Sequence, residues 1–374
     1  MKKNNSLKVF IVAGEESGDL HASKLIQQIK KYNQQIKFYG HGGDRMKKEG
    51  VQIIEHINKL AIVGFIEVIK HLPFMMSVMG KTINWIKENK PERIILVDYP
   101  GFNLRLARES RKLGIPVTYF ILPQAWAWKE NRVSILRDNV DQCLSIIPFE
   151  QEWFEERNVK TSFIGHPFIE LQYQNSSSDF YRKHDLNPND KILSIFPGSR
   201  QQEVNQHLSI LISTVESIML DMPNLKVVLG KAPGVTIDNI PGYIKIESDN
   251  PQLALQNGNA ALVASGTATL ESAVLDIPIV VFYRFSHFTW FLAKRMSNVK
   301  FACIVNLIAN KMIVQEFIQN KMTVNNLYNA ILPLLNDTSS RKNILLGYNQ
   351  IRRTLGIPGV YDRGAKEIIK RLPI

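Results

Sequence analysis

The sequence predicts an α/β protein of two Rossmann-like, doubly wound domains that face each other across a cleft. Three observations carry this. The chain has 374 residues, more than one hydrophobic core usually organises, so two domains of ordinary size are expected. Short β-rich apolar runs alternate with helical stretches from the start, which is the pattern of a parallel sheet covered on both faces. The alternation lapses over residues 169–190 and then restarts on the same plan.

In the first half LKVFIVAG reads as a strand, 18–32 as a helix and IKFYG as a strand. A helix near 65–88, RIILVD, a helix at 103–112 and PVTYFIL follow. CLSIIPFE precedes a helical 150–157, and SFIGHP closes the half. Residues 169–190, IELQYQNSSSDFYRKHDLNPND, lose apolar periodicity and gather Ser, Asn, Asp and Pro, as a linker or surface excursion does. KILSIFPGSR, a helix over 201–221, LKVVLG, YIKIES and a helix around 251–258 open the second half. AALVASG, a helix from 267 and PIVVFYR continue it. The expected division is 1–170, 171–345 and a C-terminal segment, 346–374, whose helix YDRGAKEIIKRL crosses back to the first domain. Ligands of open α/β sheets bind at the carboxyl ends of the strands, so the loops there are the places to look for chemistry.

Apolar residues make up 45% of the chain and charged residues 21%, which suits packed cores and excludes collagen, extensive disorder and a disulfide scaffold. Forty-six Lys and Arg against 34 Asp and Glu give a formal charge of +12, favouring an anionic partner. No Lys/Arg block interleaved with aromatics marks a nucleic-acid groove, so a membrane surface or a phosphorylated substrate is the better match. Cys143 and Cys303 sit in apolar stretches and build neither a disulfide framework nor a metal site. The eight histidines show no metal-binding spacing, and only His166, in Gly165-His166-Pro167, lies in a loop suited to ligand contact. The apolar start ends at Glu15-Glu16 without a cleavage-like site and reads as a strand rather than a secretion signal. No apolar run reaches the roughly 20 residues that span a bilayer.

After the first strand come Gly14, Glu15, Glu16, Ser17, Gly18 and Asp19. Glycines here let a ligand approach the backbone, and amides at a helix start favour an anion; a tight turn without ligand is the alternative. The spacing is not the Gly-x-Gly-x-x-Gly of dinucleotide sites. RIILV delivers Asp98 at its carboxyl end, before Tyr99-Pro100-Gly101-Phe102-Asn103. A partly buried carboxylate with a raised pKa can take a proton from a hydroxyl nucleophile. The alternative is a helix cap, which Asn103, nearer the expected helix start, fits better. Gln124, Trp126 and Trp128 with Lys129 follow another strand; the indoles line a sugar or acyl site or simply fill the core. In the second half Gly198-Ser199-Arg200 ends a strand, with Glu203 one turn on, and Arg200 offers forked donors for a diphosphate. Ser265, Gly266 and Thr267 open a helix with free amides for phosphates. Glu271, one turn inside it, suits a ribose diol or only the helix dipole. Residues 63–79, VGFIEVIKHLPFMMSVM, carry Phe65, Leu72, Phe74, Met75, Met76 and Met79 beside Lys70, Lys81 and Lys87. An interfacial helix fits this stretch, as does core packing. Phe288 to Arg295 is a second apolar and basic patch.

AGEESGD, GFIEV, DYPGFNLRLA, PQAWAWK, IPFE, IGHP, PGSRQQEV, SGTATLE and VNLIA occur in that order. Together, over roughly residues 7–335, they resemble the lipid-A-disaccharide synthase family. The resemblance implies the GT-B plan of two Rossmann-like domains. It implies an inverting glycosyltransferase, independent of metal and cofactor, that moves a sugar from UDP-2,3-diacylglucosamine to 2,3-diacylglucosamine 1-phosphate. The products are UDP and the β-1,6 disaccharide 1-phosphate of lipid A. By the same resemblance Asp98 is the general base on the acceptor hydroxyl or positions the acceptor. Arg200 is the diphosphate partner, and Ser265, Gly266, Thr267 and Glu271 form the donor nucleotide loop. Asn306, in VNLIA, is a further polar position of the cleft. His21 after the first loop and Cys303-Ile304-Val305 before Asn306 depart from the family pattern. Acylated substrates with charged heads call for apolar surface beside cations, which 63–81 supply, so the protein is expected on the cytoplasmic face of a Gram-negative inner membrane. A homodimer stays open. Fold alone does not fix chemistry, so a nucleotide-sugar 2-epimerase and a non-catalytic lipid- or nucleotide-binding protein are the competing readings.

Overall fold

The structure is a computed structural model describing residues 7–60, 72–170, 177–285 and 299–373. The chain divides into two compact units, residues 1–170 with 355–374 and residues 171–354.

In the first unit the strands are β1 (Lys8–Ala13), β2 (Lys37–Gly42), β3 (Gln52–His56), β4 (Arg93–Val97), β5 (Val117–Phe120), β6 (Gln142–Ser145) and β7 (Thr161–Phe163). They form one parallel sheet in the order β3-β2-β1-β4-β5-β6-β7. β4, RIILV, is buried at every position, as a strand covered on both faces has to be. Strand order reverses between β1 and β4, and the crevice of such a sheet opens beyond the carboxyl ends of that pair. The chain returns at Leu355, and the helix Val360–Ile369 packs on the helix Glu16–Tyr32. That return is pinned by polar contacts. Arg363 Nε donates to the Ile164 carbonyl at 2.9 Å, Gln142 Nε2 to the Glu367 carbonyl at 2.9 Å, and His21 Nδ1 meets the Tyr361 hydroxyl at 2.8 Å.

The second unit repeats the plan with β8 (Ile192–Phe196), β9 (Lys226–Gly230), β10 (Ile244–Glu247), β11 (Ala260–Ala264), β12 (Ile279–Tyr283) and β13 (Glu316–Ile318). All pairs are parallel, in the order β10-β9-β8-β11-β12-β13. Its reversal lies between β8 and β11. Both sheets are doubly wound, the fold class expected from the alternation.

Two features differ from the sequence reading. β3 and β13 were not anticipated: both are half-buried edge strands whose Gln52, Glu55, His56 and Glu316 break the apolar run that marks a central strand. Residues 169–190 are more than a linker, since they contain the helix Ser177–His184. It seats Phe180 in a small core with Leu186, Ile192, Val228 and Ala254, and its Lys183 and His184 pair with Glu247 at 2.7 and 2.9 Å. Eight residues with one anchoring aromatic are too few to show a period. The helix expected near 65–88 is described as Leu72–Asn89; Phe65 and the patch Phe288–Arg295 lie outside the described residues. Cys143 and Cys303 are buried free thiols, their pKa values pushed up to about 12 and about 11, chiefly by burial.

Gly40 shows how close the strands lie. It has φ +152°, and a Cβ there would fall 1.8 Å from the Ile11 carbonyl oxygen of β1, a contact that no side chain survives. Gly40→Ala is therefore expected to lower stability by more than about 3 kcal/mol. Thermal unfolding checks this, and an unchanged midpoint would contradict the β1–β2 packing.

Candidate active site

Immediately beyond β4 the chain takes two consecutive left-handed residues, Asp98 (φ +46°) and Tyr99 (φ +47°), and Ile121 (φ +64°) does the same just past β5. Such conformations are costly for residues with a Cβ, most of all β-branched ones, and they concentrate at functional sites. Hydrogen bonds hold them. Asn103 Nδ2 donates to the Asp98 carbonyl at 2.7 Å and the Val97 carbonyl at 3.2 Å. The Tyr119 hydroxyl donates to the same Asp98 carbonyl at 2.7 Å, and the Asp98 N–H donates to Phe120 at 3.1 Å. Asn103 is thus no N-cap, as the sequence suggested: the helix starts at Pro100 after Tyr99, and Asn103 reaches back from inside it to clamp the strand end. The backbone is locked and the half-buried carboxyl projects. Burial first, then the charge of Glu15, raises the Asp98 pKa to about 6, against the Tyr99 N–H and Arg132, which lower it. At neutral pH Asp98 is ionised but unusually basic, as a general base should be.

The β1 loop supports this geometry more than it offers a ligand surface. Gly14 lies under the Tyr99 ring, where a Cβ would approach to 2.3 Å, and Gly18 lies against the Ala13 side chain. The Tyr99 hydroxyl in turn donates to the Leu60 carbonyl at 3.0 Å. Asp19 is buried and accepts from the N–H groups of Gly43 (2.7 Å), Met46 (3.1 Å) and Arg45 (3.1 Å), capping the helix Asp44–Lys48. Gly14, Gly18 and Asp19, expected to bind substrate, are therefore accounted for by packing and capping. Glu15 and Ser17 are exposed.

Trp126 also changes role. It is only 7% exposed, stands edge-on to Phe149 and donates through Nε1 to Glu150 Oε1 at 2.9 Å, so its indole fills the core rather than lining a sugar site. Gln124 and Trp128 remain exposed. Glu150, whose other oxygen accepts from the Ser145 hydroxyl at 2.8 Å, and Arg132 were not singled out from sequence. IPFE ends in Glu150, and the signal was its place after a strand. Burial is the largest cause that raises the Glu150 pKa to about 7, with Asp98 adding to it and the Trp126, Ser145 and Ile147 hydrogen bonds opposing.

Next to Tyr99 opens a cavity of about 730 Å³, lined by Leu60, Leu72, Met75, Met76, Met79 and Phe102 among others. Of the residues expected at a membrane, Met76 is 64% and Leu72 45% exposed, whereas Phe74, Met75 and Met79 are half-buried and pack against the core.

In the second unit two loops leave adjacent strand ends. After β8, Gly198 takes φ +137°, and Glu203 organises the turn: its Oε2 accepts from the Ser199 and Arg200 N–H groups at 2.8 and 3.3 Å. Glu203 Oε1 accepts from the Tyr283 hydroxyl at 2.8 Å. The exposed Arg200 guanidinium contacts Glu203 at 3.4 Å, which leaves most of its donors to solvent. Buried His207 donates from Nδ1 to the Pro197 carbonyl (2.6 Å) and accepts at Nε2 from the Arg284 N–H (3.0 Å), tying β8 to β12. Beyond β11, Ser265 donates to the Ala302 carbonyl at 2.8 Å, and exposed Gly266 and Thr267 begin the helix Thr267–Val274, which carries half-buried Glu271. Among the described residues the Gly266 and Thr267 amides have no hydrogen-bond partner, and amides at a helix start favour an anion.

Asn306, expected in the cleft, is held by its own chain. It is fully buried, donates to the Val314 carbonyl (2.8 Å) and Glu316 Oε1 (2.7 Å), and accepts from the N–H groups of Ile313 (2.7 Å) and Val314 (3.0 Å). An amide with four hydrogen bonds to its own chain ties the Asn306 helix to residues 313–316, which accounts for its burial. His166 is likewise buried, its Nδ1 accepting from the Phe168 N–H at 3.1 Å. Among the described residues no three His, Cys, Asp or Glu side chains are placed to hold a metal ion, and no helix is long and apolar enough to cross a membrane.

Comparison with known proteins adds the following. The family model described as lipid-A-disaccharide synthetase matches residues 9–357. Lipid-A-disaccharide synthase of Myxococcus xanthus is 31% identical over 99% of this chain and 98% of its own length. The enzyme of Solibacter usitatus is 34% identical over 97% and 98%. Among solved structures, UDP-GlcNAc 2-epimerase from Neisseria meningitidis aligns with TM-score 0.69 at 10% identity, over 97% of this chain and all of that one. The glycotransferase of kitacinnamycin aligns with TM-score 0.68 at 15% identity, over 99% of this chain and all of that one. At such identities the structures speak for the fold alone.

Glu150 yields a pH prediction. Its pKa is raised from about 4.5 to about 7 on folding, so the stability it contributes is complete below the unfolded value and is lost as pH rises through the folded one. Glu150→Gln cannot ionise. Relative to the unsubstituted protein its stability should improve by about 3 kcal/mol between pH 4.5 and 8. Urea unfolding across that range checks it, and a pH-independent difference would contradict the assignment.

Proposed function

The chain belongs to the lipid-A-disaccharide synthase family, glycosyltransferases of lipid A disaccharide synthesis, and from that membership we propose an inverting transfer between two acylated sugars. The donor is UDP-2,3-diacylglucosamine and the acceptor 2,3-diacylglucosamine 1-phosphate. Asp98 takes the proton of the acceptor 6-hydroxyl as that oxygen bonds to the anomeric carbon of the donor. The bond from that carbon to the diphosphate breaks, and UDP leaves with the electron pair. Inversion follows from a single displacement. The negative charge that develops on the diphosphate is met by Arg200 and by the free amides at Gly266 and Thr267, with Ser199, Ser265 and Glu271 completing the donor site. Glu203 and His207 position this cradle through the contacts described above.

The observation that carries the reading is the Asp98 carboxyl, borne on a locked backbone at the switch point of its sheet, with a raised pKa. Glu15, exposed on the neighbouring loop, adds to that basicity. The experiment is direct: incubate the protein with both lipids and separate the products. UDP and a disaccharide phosphate are expected. Epimerised UDP-sugar in the absence of acceptor, or binding without UDP release, would replace the proposal.

The acylated substrates reside in a bilayer, so we place the enzyme at the cytoplasmic surface of the inner membrane, touching it through Leu72 and Met76. The formal charge of +12 favours anionic lipid.

Asp98→Asn should keep the fold and lower kcat at least about a hundredfold. In the unsubstituted enzyme kcat/KM should fall as pH drops through about 6, because the base must be ionised. Steady-state rates from pH 5 to 9 decide both points. Met76→Glu with Leu72→Glu should reduce co-sedimentation with vesicles of anionic phospholipid at least tenfold, while unchanged sedimentation would remove this surface from the membrane contact.

A further inference from the structure

The helix Leu72–Asn89 carries Gly80 in its interior, and the helix Pro100–Lys112 carries Gly101 in its first turn. Glycine weakens a helix, and here the packing of the described residues does not require it. Among the described residues a Cβ added at either position meets nothing within 4 Å. Both residues line the cavity of about 730 Å³ beside Tyr99, a volume within the range of roughly 300–1,000 Å³ typical of small-molecule sites. Most of its wall is apolar: Leu60, Leu72, Met75, Met79, Ile83 and Phe102. Methionines suit a flexible apolar ligand because their side chains adapt to it.

The polar groups on the wall are Glu15, Arg105, Arg108 and Glu109. Glu109 is paired with Lys112 at 2.7 Å. Arg105 and Arg108, one turn apart and exposed, have no ion pair among the described residues. Glu15 stands on the Asp98 side, where its charge acts on both Asp98 and Tyr99. The cavity therefore has an apolar interior, two guanidinium groups with no ion pair among the described residues, and a border at Glu15 and Tyr99, the residue that follows the proposed base.

We infer that this cavity is an acyl-chain pocket for the phosphorylated lipid acceptor, with Arg105 and Arg108 holding its phosphate and Gly80 and Gly101 leaving room for the chain. It deepens the proposed reaction and rests on it for the identity of the acceptor. The committed occupant is one chain of an anionic lipid, since an uncharged chain would leave the two guanidinium groups unused.

The test is binding to the full-length protein below the micellar concentration, measured by calorimetry. The probes are octyl, decyl, dodecyl and tetradecyl phosphate and the matching alcohols. Affinity should rise about fourfold per added methylene until the pocket is full and then level off. Gly80→Leu and Gly101→Leu, whose added Cβ atoms meet nothing within 4 Å among the described residues, should move the levelling point to shorter chains with unchanged thermal stability. Arg105→Gln with Arg108→Gln should weaken the phosphates about tenfold and leave the alcohols unchanged. Chain-length-independent binding, or a levelling point indifferent to both leucines, would overturn the pocket. So would leucine variants that lose only vesicle binding, because the cavity would then be part of a bilayer-facing surface. Binding is read without turnover. Failure here with disaccharide still formed removes the pocket alone, and a chain-length response with no disaccharide formed removes the reaction instead.

Discussion

Two residues forced into the left-handed region at the end of β4 are the constraint on which the first unit's chemistry depends. A strand ending in ordinary extended backbone would carry Asp98 onward with the sheet. Asn103 and Tyr119 both donate to its carbonyl, so the strain is held by interactions away from the carboxyl. That division leaves the carboxyl to be tuned by its surroundings: partial burial and Glu15 raise its pKa, while Arg132 and one backbone N–H keep it ionised at neutral pH. Tyr99, placed by the same turn, covers Gly14 and borders the cavity. One kink thus sets the proposed base, the first loop and the wall of the apolar space.

The second unit solves a similar problem with carboxylate-to-amide contacts. Glu203 reaches back from its helix to the Ser199 and Arg200 amides, which holds the turn while leaving the Arg200 side chain outward. His207 joins Pro197 to Arg284, so the ends of β8 and β12 are set by a single buried ring. In both units a polar side chain inside the following helix fixes the loop at its start. The Asp98 carboxyl and the exposed Arg200 side chain, both proposed to touch substrate, are then not the groups that hold these loops.

The central strands were legible in the sequence because a parallel strand covered on both faces must carry a continuous apolar run, and IILV, AALVA and VFIVA within them are such runs. The edge strands β3 and β13 were not, since an edge is half solvated and tolerates Gln, Glu and His. Asp98 and Arg200 could be picked out as polar residues at strand ends. What sequence could not reveal was which polar residues are already satisfied. Asp19 and Asn306 look like site residues in one dimension and prove to be hydrogen-bonded by their own chain. Trp126 likewise required its partner, Glu150, to be seen before its burial made sense. Partnerships across 24 residues of sequence leave no local pattern.

The measurement that bears most directly on the account is titration of the Asp98 carboxyl itself, by carbon NMR of the full-length protein labelled at its aspartates and assigned through Asp98→Asn. An apparent pKa near 6, falling when Glu15 is replaced by Gln, is the predicted result. A value in the ordinary aspartate range, indifferent to Glu15, would contradict it.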